Sequence, residues 1–126
     1  MDITNKKILV CDDSVLARKQ LIDAVNEVSS GATFLEAKNG AEAVDVYKKE
    51  KPELVFMDIV MPQKDGTQAL EEIRSFDEDA TIIIVSSVGT QEQLKKAIQL
   101  GAKDFIQKPF EKNQIQEIIE LRLGGK

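Results

Sequence analysis

Four apolar runs in this chain stop at a polar or charged residue. Ile8-Leu9-Val10-Cys11 runs into Asp12 and Asp13, Leu54-Val55-Phe56-Met57 into Asp58, Ile82-Ile83-Ile84-Val85 into Ser86, and Phe105-Ile106 comes shortly before Lys108. Short uninterrupted apolar runs are the pattern of strands buried on both faces of a parallel sheet. In an open sheet of that kind, ligands bind in the crevice at the carboxyl ends of the strands. The sequence therefore predicts three carboxylates, a hydroxyl and an ammonium around one mouth, which is a site rather than a solvated surface.

The runs alternate with helical patterns, as repeated βα units require. Strands are expected at Lys7 to Cys11, Ala32 to Ala37, after Pro52, at Thr81 to Val85 and at Asp104 to Gln107. The second mixes polar and apolar residues and reads as a sheet edge. Helices are expected from Ser14 to Val28, after Asn39, from about Gly66, from Gln91 to Leu100 and from Lys112 to Leu123. Their inward stripes are Leu21, Ile22, Val25 and Val28, then Ala41, Val44 and Tyr47, then Leu70 and Ile73, then Leu94, Ala97 and Ile98, and last Ile115, Ile118 and Ile119. Asn39 is suited to cap the second helix and Gly101 to end the fourth. The terminal Gly124-Gly125-Lys126 is expected to fray.

At 126 residues the chain has the length of one domain, expected to span 1–126, and it can bury a core without disulfides. Its 42% hydrophobic and 31% charged residues fit an ordinary globular protein with no linker or disordered tail. Lys6 and Lys7 precede only four apolar residues, too few for a signal segment, and no run approaches the ~20 residues of a membrane span. A cytoplasmic location is expected. With no His and a single Cys11, which is expected to be a buried inert thiol, zinc and other transition-metal sites built on nitrogen or sulfur ligands are excluded. Oxygen ligands remain, and with them Mg²⁺ or Mn²⁺. The net charge of −5 argues against general nucleic-acid binding.

Gathering Asp12, Asp13 and Asp58 has a cost, because two carboxylates ~5 Å apart repel by roughly 3 kcal/mol at an effective dielectric near 20. A hard divalent cation that keeps several waters suits such a ligand set, and Lys108 supplies a second positive charge. A carboxylate beside that cation can act as a nucleophile towards phosphorus, forming an aspartyl phosphate, with Ser86 donating a hydrogen bond to the phosphoryl oxygens. Each residue also has an ordinary structural explanation: Asp12 as a solvated turn residue, Lys108 before Pro109 as a turn, Ser86 as a backbone cap, Phe105 as core.

Ile8-Leu9-Val10-Cys11-Asp12-Asp13-Ser14, Met57-Asp58-Ile59-Val60-Met61-Pro62 with Asp65-Gly66, Ser86, and Gly101 through Phe110 together resemble the receiver domain of two-component response regulators over essentially the whole chain. The resemblance implies an α/β flavodoxin-like fold, with a five-stranded parallel sheet of order 2-1-3-4-5 and five helices. It implies Asp58 as phosphoacceptor, and Asp13, Asp58 and the backbone carbonyl of Val60 as Mg²⁺ ligands, with Asp12 acting on the metal through water. Lys108 would contact the phosphoryl group, and its bond to Pro109 would be cis. Ser86 and Phe105 would form the switch. Phe in place of the frequent Tyr leaves a steric role, and Ser in place of Thr keeps the hydroxyl. Val60 and Val88, two residues past Asp58 and Ser86, would flank the path of the hydrolytic water and tune dephosphorylation.

No output domain follows the fifth helix, so the resemblance implies a stand-alone phosphoacceptor protein rather than an enzyme. The Ser14-Val15-Leu16-Ala17-Arg18 and Ser86-Ser87-Val88-Gly89 stretches are most similar to chemotaxis-type regulators. The implied partners are a sensor histidine kinase, a reader such as a flagellar motor switch protein docking on helix four, strand five and helix five, and an auxiliary phosphatase. A phosphorelay intermediate and the isolated receiver of a transcriptional regulator remain as alternatives. A haloacid-dehalogenase-type phosphohydrolase would need a second Asp where Val60 stands. A flavodoxin-like electron carrier would need a hydroxyl- and Gly-rich phosphate loop where Asp12-Asp13 stands.

Overall fold

A computed structural model describes residues 2–87 and 91–124. The elements run β1 (Lys7–Cys11), α1 (Val15–Val28), β2 (Thr33–Ala37), α2 (Gly40–Glu50), β3 (Leu54–Met57), α3 (Gly66–Phe76), β4 (Ile82–Ser86), α4 (Gln91–Gln99), β5 (Asp104–Gln107) and α5 (Lys112–Leu123). All strands pair in parallel in the order β2-β1-β3-β4-β5, with β2 at one edge as expected from its mixed composition.

The two-residue period of the strands divides the apolar residues between two cores. Ile8, Val10, Leu54, Phe56, Ile83, Val85 and Ile106 face α1 and α5, meeting Leu21, Val25, Ile115 and Ile119. Leu9, Cys11, Val55, Met57, Ile82 and Ile84 face the other way and meet Val44, Tyr47, Leu70, Ile73 and Ala97. Apart from Lys7 at the start of β1 and Ser86 at the end of β4, the central strands are therefore apolar, because each face is covered by helices.

Ser14, Asn39 and Asp65 cap α1, α2 and α3 through their side-chain oxygens, which starts each helix directly beyond the sheet mouth. The expected stripes need adjustment in three helices. In α1, Ile22 and Val28 are only half-buried, and in α2 the inward residue is Ala43 rather than Ala41. In α4, Ile98 is 47% exposed and Ala97 alone is fully buried. A short helix beside an edge strand meets the core along a narrow line, so a residue 100° away turns to solvent.

Two glycines make close approaches possible. Gly101 ends the α4 segment at φ +112°, a conformation that side chains resist. Gly66 lets the start of α3 lie against β3: its N–H donates to the Ile59 carbonyl at 2.7 Å, and a Cβ there would sit 2.1 Å from the Asp58 carbonyl oxygen. The atoms that Cβ would meet, of Asp58 and Ile59, are all backbone. Gly66→Ala gains helix propensity worth about 1 kcal/mol, but the clash outweighs it. The variant should lose about 1–3 kcal/mol of stability in urea denaturation; an unchanged midpoint would show that α3 can retreat from Asp58 without cost.

Candidate functional site

The strand ends are held level by hydrogen bonds that continue the ladder one residue past the strands. Asp12 donates its N–H to the Ala37 carbonyl, Asp58 to Cys11, and Lys108 to Ser86, each at 3.0 Å. With Cys11 opposite Met57 in register, Asp12 and Asp58 emerge side by side. Both continue the alternation of Val10 and Phe56, as Lys108 continues that of Ile106, so all three side chains leave the sheet on the α1/α5 face.

There the charges meet. The Lys108 Nζ donates to Asp12 Oδ2 at 2.6 Å and to Asp58 Oδ2 at 3.4 Å. Asp12 and Asp58 are 8% and 12% exposed, so neither carboxylate is the solvated turn residue that an acid after a strand usually is. Asp12 Oδ1 accepts from the Ser14 N–H at 2.9 Å, and Asp58 Oδ1 from the Ile59 N–H at 2.7 Å. Burial is the main force raising the Asp58 pKa. The Lys108 charge and a hydrogen bond from Ser86 work against it, and the Asp12 charge adds to it. Burial alone would lower Lys108, but the hydrogen bond and charge of Asp12 together with Asp58 outweigh it and hold the ammonium above its ordinary pKa.

Asp13 is exposed, yet ligand oxygens of Asp12, Asp13 and Asp58 lie within 4.8 Å of one another. Ligands on opposite sides of an Mg²⁺ ion are ~4.2 Å apart at bond lengths near 2.1 Å, so small side-chain adjustments would bring this trio around one ion. Three carboxylates against one ammonium leave two negative charges in excess, the charge of one divalent cation. The donor set thus fits Mg²⁺ or Mn²⁺. Val60, with the backbone carbonyl expected as a further ligand, has its side chain 54% exposed on the loop after Asp58.

Ser86 is the last residue of β4 and fully buried, so its hydroxyl lies inside the mouth rather than on the open rim. Phe105 pairs in register with Ile84 and is half-buried against the core beneath α2–α4. The Lys108–Pro109 bond is cis, as expected. Cys11 is buried, and burial pushes its thiol pKa far up, as expected of an inert thiol. Val88 lies outside the described residues. Sequence reasoning gave no role to Arg18, whose guanidinium reaches back from α1 to the Asp12 carbonyl at 2.6 Å. A contact to a backbone oxygen has no sequence signature, and its second partner, Glu36, stands at no spacing that would mark it.

The response regulator receiver domain family matches residues 8–120. The chemotaxis protein CheY of Halobacterium salinarum is 45% identical over 114 residues, 90% of this chain and 93% of that protein. The CheY of Bacillus subtilis is 45% identical over 119 residues, 94% of this chain and 98% of that protein. Among solved structures, a CheX-CheY-BeF3-Mg²⁺ complex from Borrelia burgdorferi contains a chain that superposes with a TM-score of 0.87 at 31% identity, covering 98% of this chain and 92% of that one.

The raised pKa of Asp58 has a sign that stability can report. A carboxyl whose folded pKa lies above its unfolded value favours folding below the unfolded pKa, and that contribution is lost as pH rises through the folded pKa. In metal-free protein, Asp58→Asn should therefore be more stable than the parent at pH 7, with the gain shrinking as pH falls into the ordinary carboxylate range. Urea melts with chelator at both pH values check this; a gain that grows on acidification would mean that Lys108, not burial, dominates at Asp58.

Proposed function

The chain belongs to the response regulator receiver domain family, and from that premise we propose that it is a phosphoacceptor switch of chemotaxis type, with Asp58 as the acceptor. The observation that carries this reading is the half-buried Asp58 carboxylate, oriented by the Ile59 N–H and facing Lys108. Burial raises its basicity, which strengthens it as a nucleophile, while Lys108 and Ser86 stabilise its charge.

In the proposed step an Asp58 oxygen forms a bond to the phosphorus of a phosphohistidine on a sensor kinase. The phosphorus–nitrogen bond breaks, and the departing imidazole keeps the electron pair and takes up a proton. Asp12, Asp13, Asp58 and the Val60 carbonyl would hold Mg²⁺ or Mn²⁺, which when bound supplies neutralisation of charge on the transferring oxygens. Lys108, now paired with Asp12, would turn to the phosphoryl group. Ser86 would donate its hydroxyl to it, and Phe105, on the same face of the sheet, would fill the space this leaves, shifting an existing equilibrium rather than making a new fold.

The reader is proposed to dock on α4, β5 and α5, a surface where Ile98 and Leu121 stand 47% and 68% exposed. A flagellar motor switch protein is the proposed reader, by likeness to the chemotaxis proteins. A CheX-type protein, as in the Borrelia burgdorferi complex, and an auxiliary phosphatase are further proposed partners. Among the described residues no helix is long and apolar enough to cross a membrane; the cytoplasm, where such kinases and readers meet, is the proposed location.

Acetyl phosphate with Mg²⁺ should add the mass of one phosphoryl group to the parent and none to Asp58→Asn. A mass gain persisting in the variant would move the acceptor elsewhere. Signal lifetime follows from Val60, an exposed apolar side chain at the mouth that cannot orient a water for in-line attack. Val60→Asn should shorten the phosphoaspartate half-life at saturating Mg²⁺; an equal or longer half-life would show that water positioning at this side chain does not limit hydrolysis.

A further inference from the structure

Arg18 is a half-buried cation that the reaction outlined above does not use. It projects from the first turn of α1 with its side chain 13% exposed. Its Nη1 donates to the backbone carbonyl of Asp12 at 2.6 Å, and its Nε to Glu36 Oε1 at 2.8 Å. Glu36 lies on the neighbouring strand β2, where it stands opposite Val10 in register. The guanidinium therefore ties the β1–α1 loop to an adjacent strand through two donors of one rigid plane.

The atom it grips matters. The Asp12 carbonyl belongs to the peptide joining Asp12 to Asp13, and a peptide is planar, so fixing that oxygen fixes the plane from which Asp13 departs. Asp12 has other restraints: its N–H is held by Ala37, and its carboxylate by Ser14 and Lys108. Asp13 is exposed, so the peptide from which it departs sets the course of its side chain. We infer that Arg18 is a positioning residue for the divalent cation, holding the Asp12–Asp13 peptide so that Asp13 presents its carboxylate to the same point as Asp12 and Asp58. This rests on reading the acidic mouth as a cation site.

The role has a signature that charge alone would reverse. Removing a positive charge beside a divalent-cation site favours cation binding, whereas removing a clamp on a ligand disfavours it. Residues that orient metal ligands typically cost at least tenfold in affinity when lost. The full chain would be stripped with chelator and titrated with Mg²⁺ by calorimetry, with metal-free melting followed in parallel. Arg18→Ala should bind Mg²⁺ about tenfold more weakly. Arg18→Lys should fail to restore binding, since one ammonium cannot span both acceptors. Against an Asp13→Asn background, Arg18→Ala should make little further difference, because the ligand it positions is already compromised.

Equal or tighter binding in Arg18→Ala would overturn the inference, as would full recovery in Arg18→Lys or an undiminished effect in the Asp13→Asn background. If Arg18→Ala does not fold, Arg18→Lys decides the matter: parent-like affinity overturns the role and weaker affinity supports it. A parent that binds no Mg²⁺ overturns the cation-site reading and this role together. A parent that binds normally beside an Arg18→Ala variant of equal affinity defeats the role of Arg18 alone.

Discussion

Two carboxylates at the ends of adjacent strands, each no more than 12% exposed, can persist only if something cationic stands between them, and here it is the Lys108 ammonium. That contact organises the mouth of the sheet. It ties the end of β5 to those of β1 and β3, so the three strands must finish level. With Asp13 added, the three carboxylates carry two negative charges in excess of the single ammonium. An arrangement that is neutral with a divalent cation and strained without one has chosen its chemistry before any substrate arrives. The same contact makes Lys108 a limited resource, because whatever adds negative charge at Asp58 competes with Asp12 for it.

The rest of the fold supplies rigidity for that contact. β1, β3 and β4 are covered on both faces, and the ladder hydrogen bonds run on through Asp12, Asp58 and Lys108. Side chains on such strand ends are placed more firmly than side chains on free loops. Gly66 contributes by having no side chain: the start of α3 lies against the Asp58 carbonyl at a distance that no Cβ would allow. Asp58 is thus confined by α3 beneath, by Cys11 beside it through its N–H, and by Lys108 in front.

Much of this was legible in the sequence because buried parallel strands have a simple signature, an apolar run with no alternation, and because the charges that follow have few structural uses. Asp12, Asp13, Asp58 and Lys108 were placed at one mouth on that ground, and the structure brings them there. The depth of Ser86 was not legible, since a hydroxyl after an apolar run reads equally as the last residue of a strand or the first of a turn. Ile98 misled because spacing alone does not reveal how wide a stripe a helix buries; α4 lies beside an edge strand and buries a narrow one. Arg18 carried no signal at all. One of its partners is a main-chain oxygen, which every residue has, and the other, Glu36, is one acid among many with no spacing to mark it.

The distribution of burial across the sheet bears on how a signal could leave the site. The strands that carry the carboxylates are central and, Lys7 at the start of β1 apart, buried throughout, whereas β5 is an edge strand in which only Ile106 is fully buried. Local opening is cheapest where few apolar contacts are lost, so β5 and the shallowly docked α4 can move at lower cost than the central strands. Lys108 and Phe105 are both attached to that strand. On the proposed reading, a phosphoryl group at the rigid centre draws on Lys108 and Ser86 and displaces the edge, not the acceptor. The surface that then changes is the α4–β5–α5 face with its exposed Ile98 and Leu121, so that the chemistry stays fixed while the interface it controls is free to respond.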